Sequence, residues 1–183
     1  MLTMKQTSQS APNPLKFRLS FVALPLAVLL VVAALSAIFY TQLPDEVYFR
    51  FDTSGEPSGN PIAKASLVML MVGIQLALFG IAYIATRSIG GVQLFRDNVN
   101  NFWFNPTRLL TLMGNMPVII QLILAYVLVD AIVYATQSDH LMPLWLFAVL
   151  ALVIGGIVIL IVGIPIIVQA YKGFSRIEEK KKE

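Results

Sequence analysis

The chain has no cysteine and one histidine, His140, in 183 residues. The first absence excludes disulfides, thiolate metal sites and thiol nucleophiles. The second excludes a metal centre built from several histidines of one chain. Charge is scarce as well: 13% of residues are charged and 57% are hydrophobic, whereas a soluble domain carries ~25% charged residues. The net charge of +3 is small, and no basic patch is interleaved with aromatics, which excludes a nucleic-acid footprint. No Gly-rich phosphate loop, metal-ligand spacing, paired carboxylates or nucleophile motif is present. The expectation is a protein that is not an enzyme and has no cofactor, no metal site and no nucleic-acid partner.

What the chain does have is long apolar runs, and runs of this length are membrane spans rather than pieces of a soluble core. Residues 1–16 are polar, with Ser, Thr, Gln, Asn and two prolines, and read as a disordered tail. The domain that follows, 17–172, contains four spans at about 19–40, 65–85, 116–136 and 143–168. The first run, Leu19–Tyr40, has a competing reading as a cleaved signal peptide, because Ala34-Leu35-Ser36-Ala37 is loosely cleavage-like. It exceeds the ~7–15 residues of a signal-peptide core, which favours a retained helix. Residues 173–183 form a charged tail. The fold class is an all-α membrane protein of four transmembrane helices, with a Pro/Gly-rich extracytoplasmic loop between the first and second.

Details of the spans add expectations. Gly73 and Gly80 share a face of the second helix, as Gly155, Gly156 and Gly163 mark the fourth, and small residues let helices approach closely. Gln75 reads as one interhelical hydrogen bond. Phe102-Trp103-Phe104 reads as an interface anchor. Asn105-Pro106 is a helix start, with Asn as the cap and Pro at the first helical position. Asn115-Met116-Pro117 repeats that signal, so 106–136 is either one helix or two, broken near Gly114. Pro165 lies inside the fourth run, where a kink or tilt absorbs excess length.

The patterned stretch is the loop Leu43–Lys64. Leu43-Pro44 ends the first helix, since the residue before proline avoids helical geometry. Val47, Phe49 and Phe51 alternate with Tyr48 and Arg50, which predicts a short extended segment with one apolar face. That face rests on the membrane surface or on the outer end of the bundle. Asp52-Thr53-Ser54-Gly55 fits a type I turn. Pro57, Gly59 and Pro61 forbid helix before Ala63. The loop is therefore expected to be an ordered cap.

Leu43-Pro44-Asp45, Phe51-Asp52, Gly55-Glu56-Pro57, Gly59 and Lys64 before an apolar helix together resemble the DUF1648 family of small prokaryotic membrane proteins. The resemblance covers about 22–72. That family overlaps with SdpI-like immunity proteins, which protect a cell from a secreted toxic peptide. The resemblance implies structural roles for Pro44, Phe51, Gly55, Pro57 and Gly59. The family's Pro-x-His-Phe step is here Tyr48-Phe49-Arg50-Phe51, so arginine stands where relatives have histidine.

Asp130 is the only acidic or basic residue inside a span, and such residues hint at function because charge is costly there. It lies about six residues, or ~9 Å, from the outer end of its helix. Tyr126 and Tyr134 flank it on one face. Three readings stand open: a structural cluster with the tyrosines, Lys64 or Arg50; a ligand- or ion-sensing face; and proton-coupled transport. Arg50 with Asp52 is the second candidate ligand site, against plain contact with lipid phosphates or with Glu46 and Asp52. His140 reads as an ordinary surface residue. Two functions are expected. One is a sensor or immunity-type protein in the lipid bilayer that binds an extracytoplasmic peptide or envelope component. The other is a small accessory or scaffold subunit of a membrane transport complex, partnered by another membrane protein.

Orientation follows from the basic residues. Lys5, Lys16, Arg18, Arg87, Arg96, Arg108, Lys172, Arg176 and Lys180–Lys182 lie at one set of span ends; only Arg50 and Lys64 lie at the other. The positive-inside rule then places both termini in the cytoplasm. A reporter active only in the cytoplasm, fused after Glu183, is expected to be active; a silent fusion overturns the orientation.

Overall fold

Helices form where the apolar runs fall, in a computed structural model that describes residues 16–52, 56–91, 105–137 and 140–180, with the backbone alone at 170 and 172–180. In order these are α1 (Ala23–Phe39), α2 (Lys64–Gly91), α3 (Pro106–Asn115), α4 (Val118–Gln137) and α5 (Leu144–Lys180). A 3-10 turn, Leu19–Phe21, precedes α1. Two short strands, β1 (Glu46–Val47) and β2 (Ile62–Ala63), pair antiparallel between α1 and α2. Lys64–Gly91, Pro106–Gln137 and Leu144–Gln169 are long and apolar enough to cross a membrane, and α1 is a shorter apolar helix. The chain is thus a mostly helical protein of the membrane-embedded kind.

Several helix ends have visible causes. Asn105 caps α3, its side chain accepting hydrogen bonds from the Thr107 and Arg108 amides, with Pro106 at the first position. Asn115 does not start a helix as expected. It closes α3, and Met116 keeps helical geometry. The break between α3 and α4 falls at Met116-Pro117, where proline has no N–H to continue the ladder. Asn115 acts on α1 instead: its Oδ1 accepts from the Leu24 amide at 3.0 Å, and its Nδ2 donates to the Phe21 carbonyl at 3.0 Å. Val22, at the start of α1, supplies no side-chain cap, so a residue some ninety positions downstream does that work. At the other end of the chain α5 runs through Pro165 to Lys180, so most of the expected charged tail is helical backbone.

The buried residues of α2, namely Leu67, Met71, Gln75, Ala82, Thr86 and Gly90, recur at spacings of four and seven and form one stripe. Two apolar clusters lie along it. One joins Val32, Leu43, Val47, Leu67, Met71, Leu128, Ala131 and Ile132 beneath the loop. The other joins Phe21, Val22, Ala82 and Leu110 near the opposite end. Between them Gln75 and Gln121, both fully buried, each donate a side-chain amide to the other's backbone carbonyl, at 2.8 and 3.2 Å. The single bond expected of Gln75 is therefore half of a reciprocal pair.

Helix α5 packs chiefly on α4 and α3, and none of its most apolar stretch is buried. Gly155 seats the Ile119 side chain, but Gly73, Gly80, Gly156 and Gly163 have no neighbouring atom where a Cβ would stand. Those four glycines create no close helix contact among the described residues. Gly114 is different. A Cβ there would lie 2.2 Å from the Phe21 carbonyl oxygen and 2.7 Å from Thr86 Cγ2. Gly114→Ala is expected to lower stability by about 1–3 kcal/mol through overpacking. Gly156→Ala, in open space, is expected to be neutral or slightly stabilising. Thermal unfolding of the two variants in detergent checks the contrast, and equal melting points would contradict the tight contact at Gly114.

Candidate functional site

The loop after α1 is built by its own sequence. β1 and β2 pair Glu46 with Ala63 and Val47 with Ile62. Further out, Phe51 bridges Pro57, the Ser58 amide donates to the Arg50 carbonyl, and the Asp52 amide donates to the Glu56 carbonyl. The pairing shifts by one residue between these two sections. The extra residue falls on the returning strand, where Gly59 takes φ +95, a conformation that favours glycine. The Glu56 amide also donates to the Asp52 carboxylate at 3.0 Å. Residues 53–55, with the expected turn and Gly55, lie outside the described residues, as do Phe102-Trp103-Phe104 and the tail 1–15.

The alternating apolar face points as predicted. Val47 is buried in the cluster with Leu43, Leu67 and Leu128, and Phe49 packs against it. The loop therefore rests on the end of the helix bundle. Lys64 ties down its root: Nζ lies 2.9 Å from Asp45 Oδ1 and 3.4 Å from the Leu43 carbonyl oxygen. Lys64 thus pairs with Asp45, and the expected pairing of Asp130 with Lys64 or Arg50 does not occur.

Asp130 has another partner. Its side chain, 9% exposed, sits on α4 with Oδ2 2.9 Å from His140 Nδ1. Its Oδ1 accepts from the Leu141 amide at 3.2 Å. One turn back on the same face, the Tyr126 hydroxyl donates to the Met142 carbonyl and accepts from the Met142 amide. Two side chains of α4 thereby hold three consecutive residues of the α4–α5 connection. One turn forward, Tyr134 stacks on the His140 ring with centroids 4.7 Å apart. Phe51 meets His140 edge-on at 4.3 Å and Tyr134 at 4.8 Å. The imidazole is thus enclosed by a carboxylate, a tyrosine face and a phenylalanine from the loop. The reading of His140 as an ordinary surface residue is corrected: it joins the loop to α4.

These groups wall a cavity of about 1140 Å³ under the loop. Arg50, Asp52, Tyr126 and Asp130, all singled out in the sequence, line it, as does His140. Tyr134 stands one contact behind, through His140 and Phe51. Leu144, Trp145 and Ala148 of α5 form the apolar side. Leu141, Leu144 and Trp145 are exposed, so the cavity is open at this side of the bundle. Arg50 lies over the Phe49 ring at 5.4 Å. No group of three or more metal-ligating side chains occurs among the described residues. Compared with protein-family models, curated proteins and solved structures, the chain matches none.

Chemically the site offers a buried carboxylate, an imidazole, a guanidinium and aromatic surface around an open volume. That is a set for binding an amphipathic molecule. His140 escaped the sequence reading because no helical period links it to Asp130 across the connection.

The clamp makes a specific expectation. Tyr126→Phe removes both hydrogen bonds to Met142 and leaves two backbone groups without that partner, a cost of ~1–3 kcal/mol. Amide exchange at Met142 is expected to speed up by at least tenfold, with Asp130→Ala doing the same at Leu141. Unchanged exchange at either amide would show that the side chains do not hold the connection.

Proposed function

We propose that the chain is an integral membrane protein with four spans and cytoplasmic termini, of the sensor or immunity kind, whose loop-covered cavity binds an extracytoplasmic peptide or envelope component. The cavity carries the proposal. Four residues chosen from two separate stretches of sequence, the loop and α4, line it together, and the α4–α5 connection and α5 also contribute walls. A passive connector needs neither the one-residue register shift at Gly59 nor an aromatic contact between loop and histidine.

Charge placement supports the orientation. Among the described residues, Lys16, Arg18, Arg87 and Arg108 gather at the end opposite the loop, and the loop end holds Asp45, Glu46, Asp52 and Glu56. The likeness of residues 22–72 to DUF1648 proteins supports the immunity reading. Arg50, in place of the family's histidine, stands on the wall of the same cavity as His140, so the loop end has a histidine supplied by a different segment. Within this reading Asp130 has a double role: it fixes the connection and forms the polar floor of the ligand site.

Cells expressing the chain and challenged with a panel of membrane-active peptides are expected to survive at least one peptide that kills the parent strain. Arg50→Ala and Asp130→Asn, expressed to the same level in the membrane, are expected to reduce that survival by at least tenfold. Full survival with both variants would defeat the proposal.

A further inference from the structure

We infer that the end of the bundle opposite the loop binds the headgroup of an anionic phospholipid through Lys16, Arg18 and Arg87, with the acyl chains on the exposed apolar surface beside them. The site is separate from the cavity and does not depend on how the cavity is read.

Aromatic packing brings the three cations together. Phe17, between Lys16 and Arg18 in the chain, meets Tyr83 of α2 with ring centroids 4.9 Å apart and meets Phe21 edge-on at 6.4 Å. The Phe21 amide donates to the Arg18 carbonyl, which fixes the backbone of this segment just before α1. One turn on from Tyr83, Arg87 donates from Nη1 to the Tyr83 hydroxyl at 2.6 Å, and its guanidinium lies 5.8 Å from the centre of that ring. One tyrosine therefore holds Arg87 directly, and Lys16 and Arg18 through Phe17.

None of the three has a carboxylate partner among the described residues, where both ion pairs lie at the loop end. The acidic residues that the sequence has toward this end, Asp97, Glu178, Glu179 and Glu183, fall outside the described side chains and are outnumbered by the other basic residues there. Gathering like charges without a counter-charge is unfavourable. An anion from outside the chain relieves that repulsion.

The surroundings favour a lipid over a free anion. Lys16, Arg18 and Arg87 are exposed. So are Leu19, next to Arg18, and Ile84, three residues before Arg87 and on its face of α2, at 66% and 63%. Apolar surface beside a cluster of cations suits a molecule with phosphate at one end and hydrocarbon at the other. A guanidinium gives phosphate parallel N–H···O bonds, and Arg87, with one N–H group committed to Tyr83, has the rest to offer. A zwitterionic headgroup carries its own ammonium into the same positive field, and this sets the preference for an anionic one.

The test uses the full chain in an uncharged detergent, with thermal unfolding followed during titration. The probes are dioctanoyl phosphatidylglycerol, dioctanoyl phosphatidylcholine and inorganic phosphate. Phosphatidylglycerol is expected to raise the melting point saturably, at a half-maximal concentration at least tenfold below that of phosphatidylcholine. Phosphate at the same concentrations is expected to have no effect. Lys16→Gln combined with Arg18→Gln, at exposed positions ahead of α1, should raise the half-maximal phosphatidylglycerol concentration at least fivefold. Arg87→Gln should do the same, Arg87→Lys should recover part of the loss, and Arg50→Gln at the loop end should leave the titration unchanged. Equal response to the two lipids, no change in the double variant, or an equal loss with Arg50→Gln overturns the site. An effect of phosphate equal to that of phosphatidylglycerol overturns the lipid in favour of a free anion.

Discussion

A carboxylate placed among apolar helices has to be satisfied locally, and the loop end of this structure is arranged around how that is done for Asp130. Its two oxygens accept from His140 and from the Leu141 amide. The short segment between α4 and α5 thereby takes one conformation. Tyr126 reinforces it from one turn away with its paired contacts to Met142. Because His140 is fixed, it offers a flat surface on which Phe51 of the loop can rest. The loop is consequently held at two points: at its root by Lys64 and Asp45, and near its tip by an aromatic contact that depends on a buried charge. Without that carboxylate the tip would keep only the direct contact of Phe51 with Tyr134.

The same logic recurs at two other levels of the bundle. Apolar contacts are non-directional and fix how close helices come, but they do little to fix how far each slides along its neighbour. In this chain directional ties set the register. Asn115 locks the start of α1 to the end of α3. Gln75 and Gln121 lock α2 to α4 between the two apolar clusters. Each tie joins a side chain to backbone, so its geometry is determined by helix position. Interhelical bonds of this sort contribute only ~0.6–2 kcal/mol each in a membrane. Their value lies in excluding alternative registers more than in total stability.

How much of this was legible in the sequence depends on the range of the interaction. Local signals read true: Asn105-Pro106 starts a helix, the alternation from Val47 to Phe51 produces a paired segment with an inward face, and the apolar runs become helices. The isolated aspartate and the loop arginine were visible as exceptions to composition, and they line one cavity. What could not be read were pairings across a turn or between helices. Nothing in the spacing of ten residues from Asp130 to His140 reveals a contact. Lys64 had several carboxylates within reach and took Asp45, because strand pairing puts Glu46 beside Ala63 and so brings Asp45 next to the helix start. Asn115 carried a cap signal, and the sequence correctly marked a capping residue but not that the helix it caps is α1. Glycine spacing misled for a related reason. A face of small residues permits close approach, but Gly73, Gly80, Gly156 and Gly163 have no neighbour among the described residues that uses it, while Gly155 and Gly114 do.

The length of α5 has a mechanical consequence. Thirty-seven helical residues make a rod of ~55 Å, nearly twice the ~30 Å of hydrocarbon in a bilayer. One end of this rod is the cavity wall at Leu144 and Trp145, and the other extends well past the apolar stretch. A tilt of ~10° about the cavity end would displace the far end by ~10 Å, so a small adjustment around a side chain at the loop end becomes a large excursion at the other. Pro165 sets how faithfully the rod transmits it. Its missing N–H leaves the Ile161 carbonyl without a helical partner, which puts a compliant joint ~32 Å from the cavity end. The helix is therefore two segments in series joined at Pro165, the first about as long as a bilayer's hydrocarbon is thick.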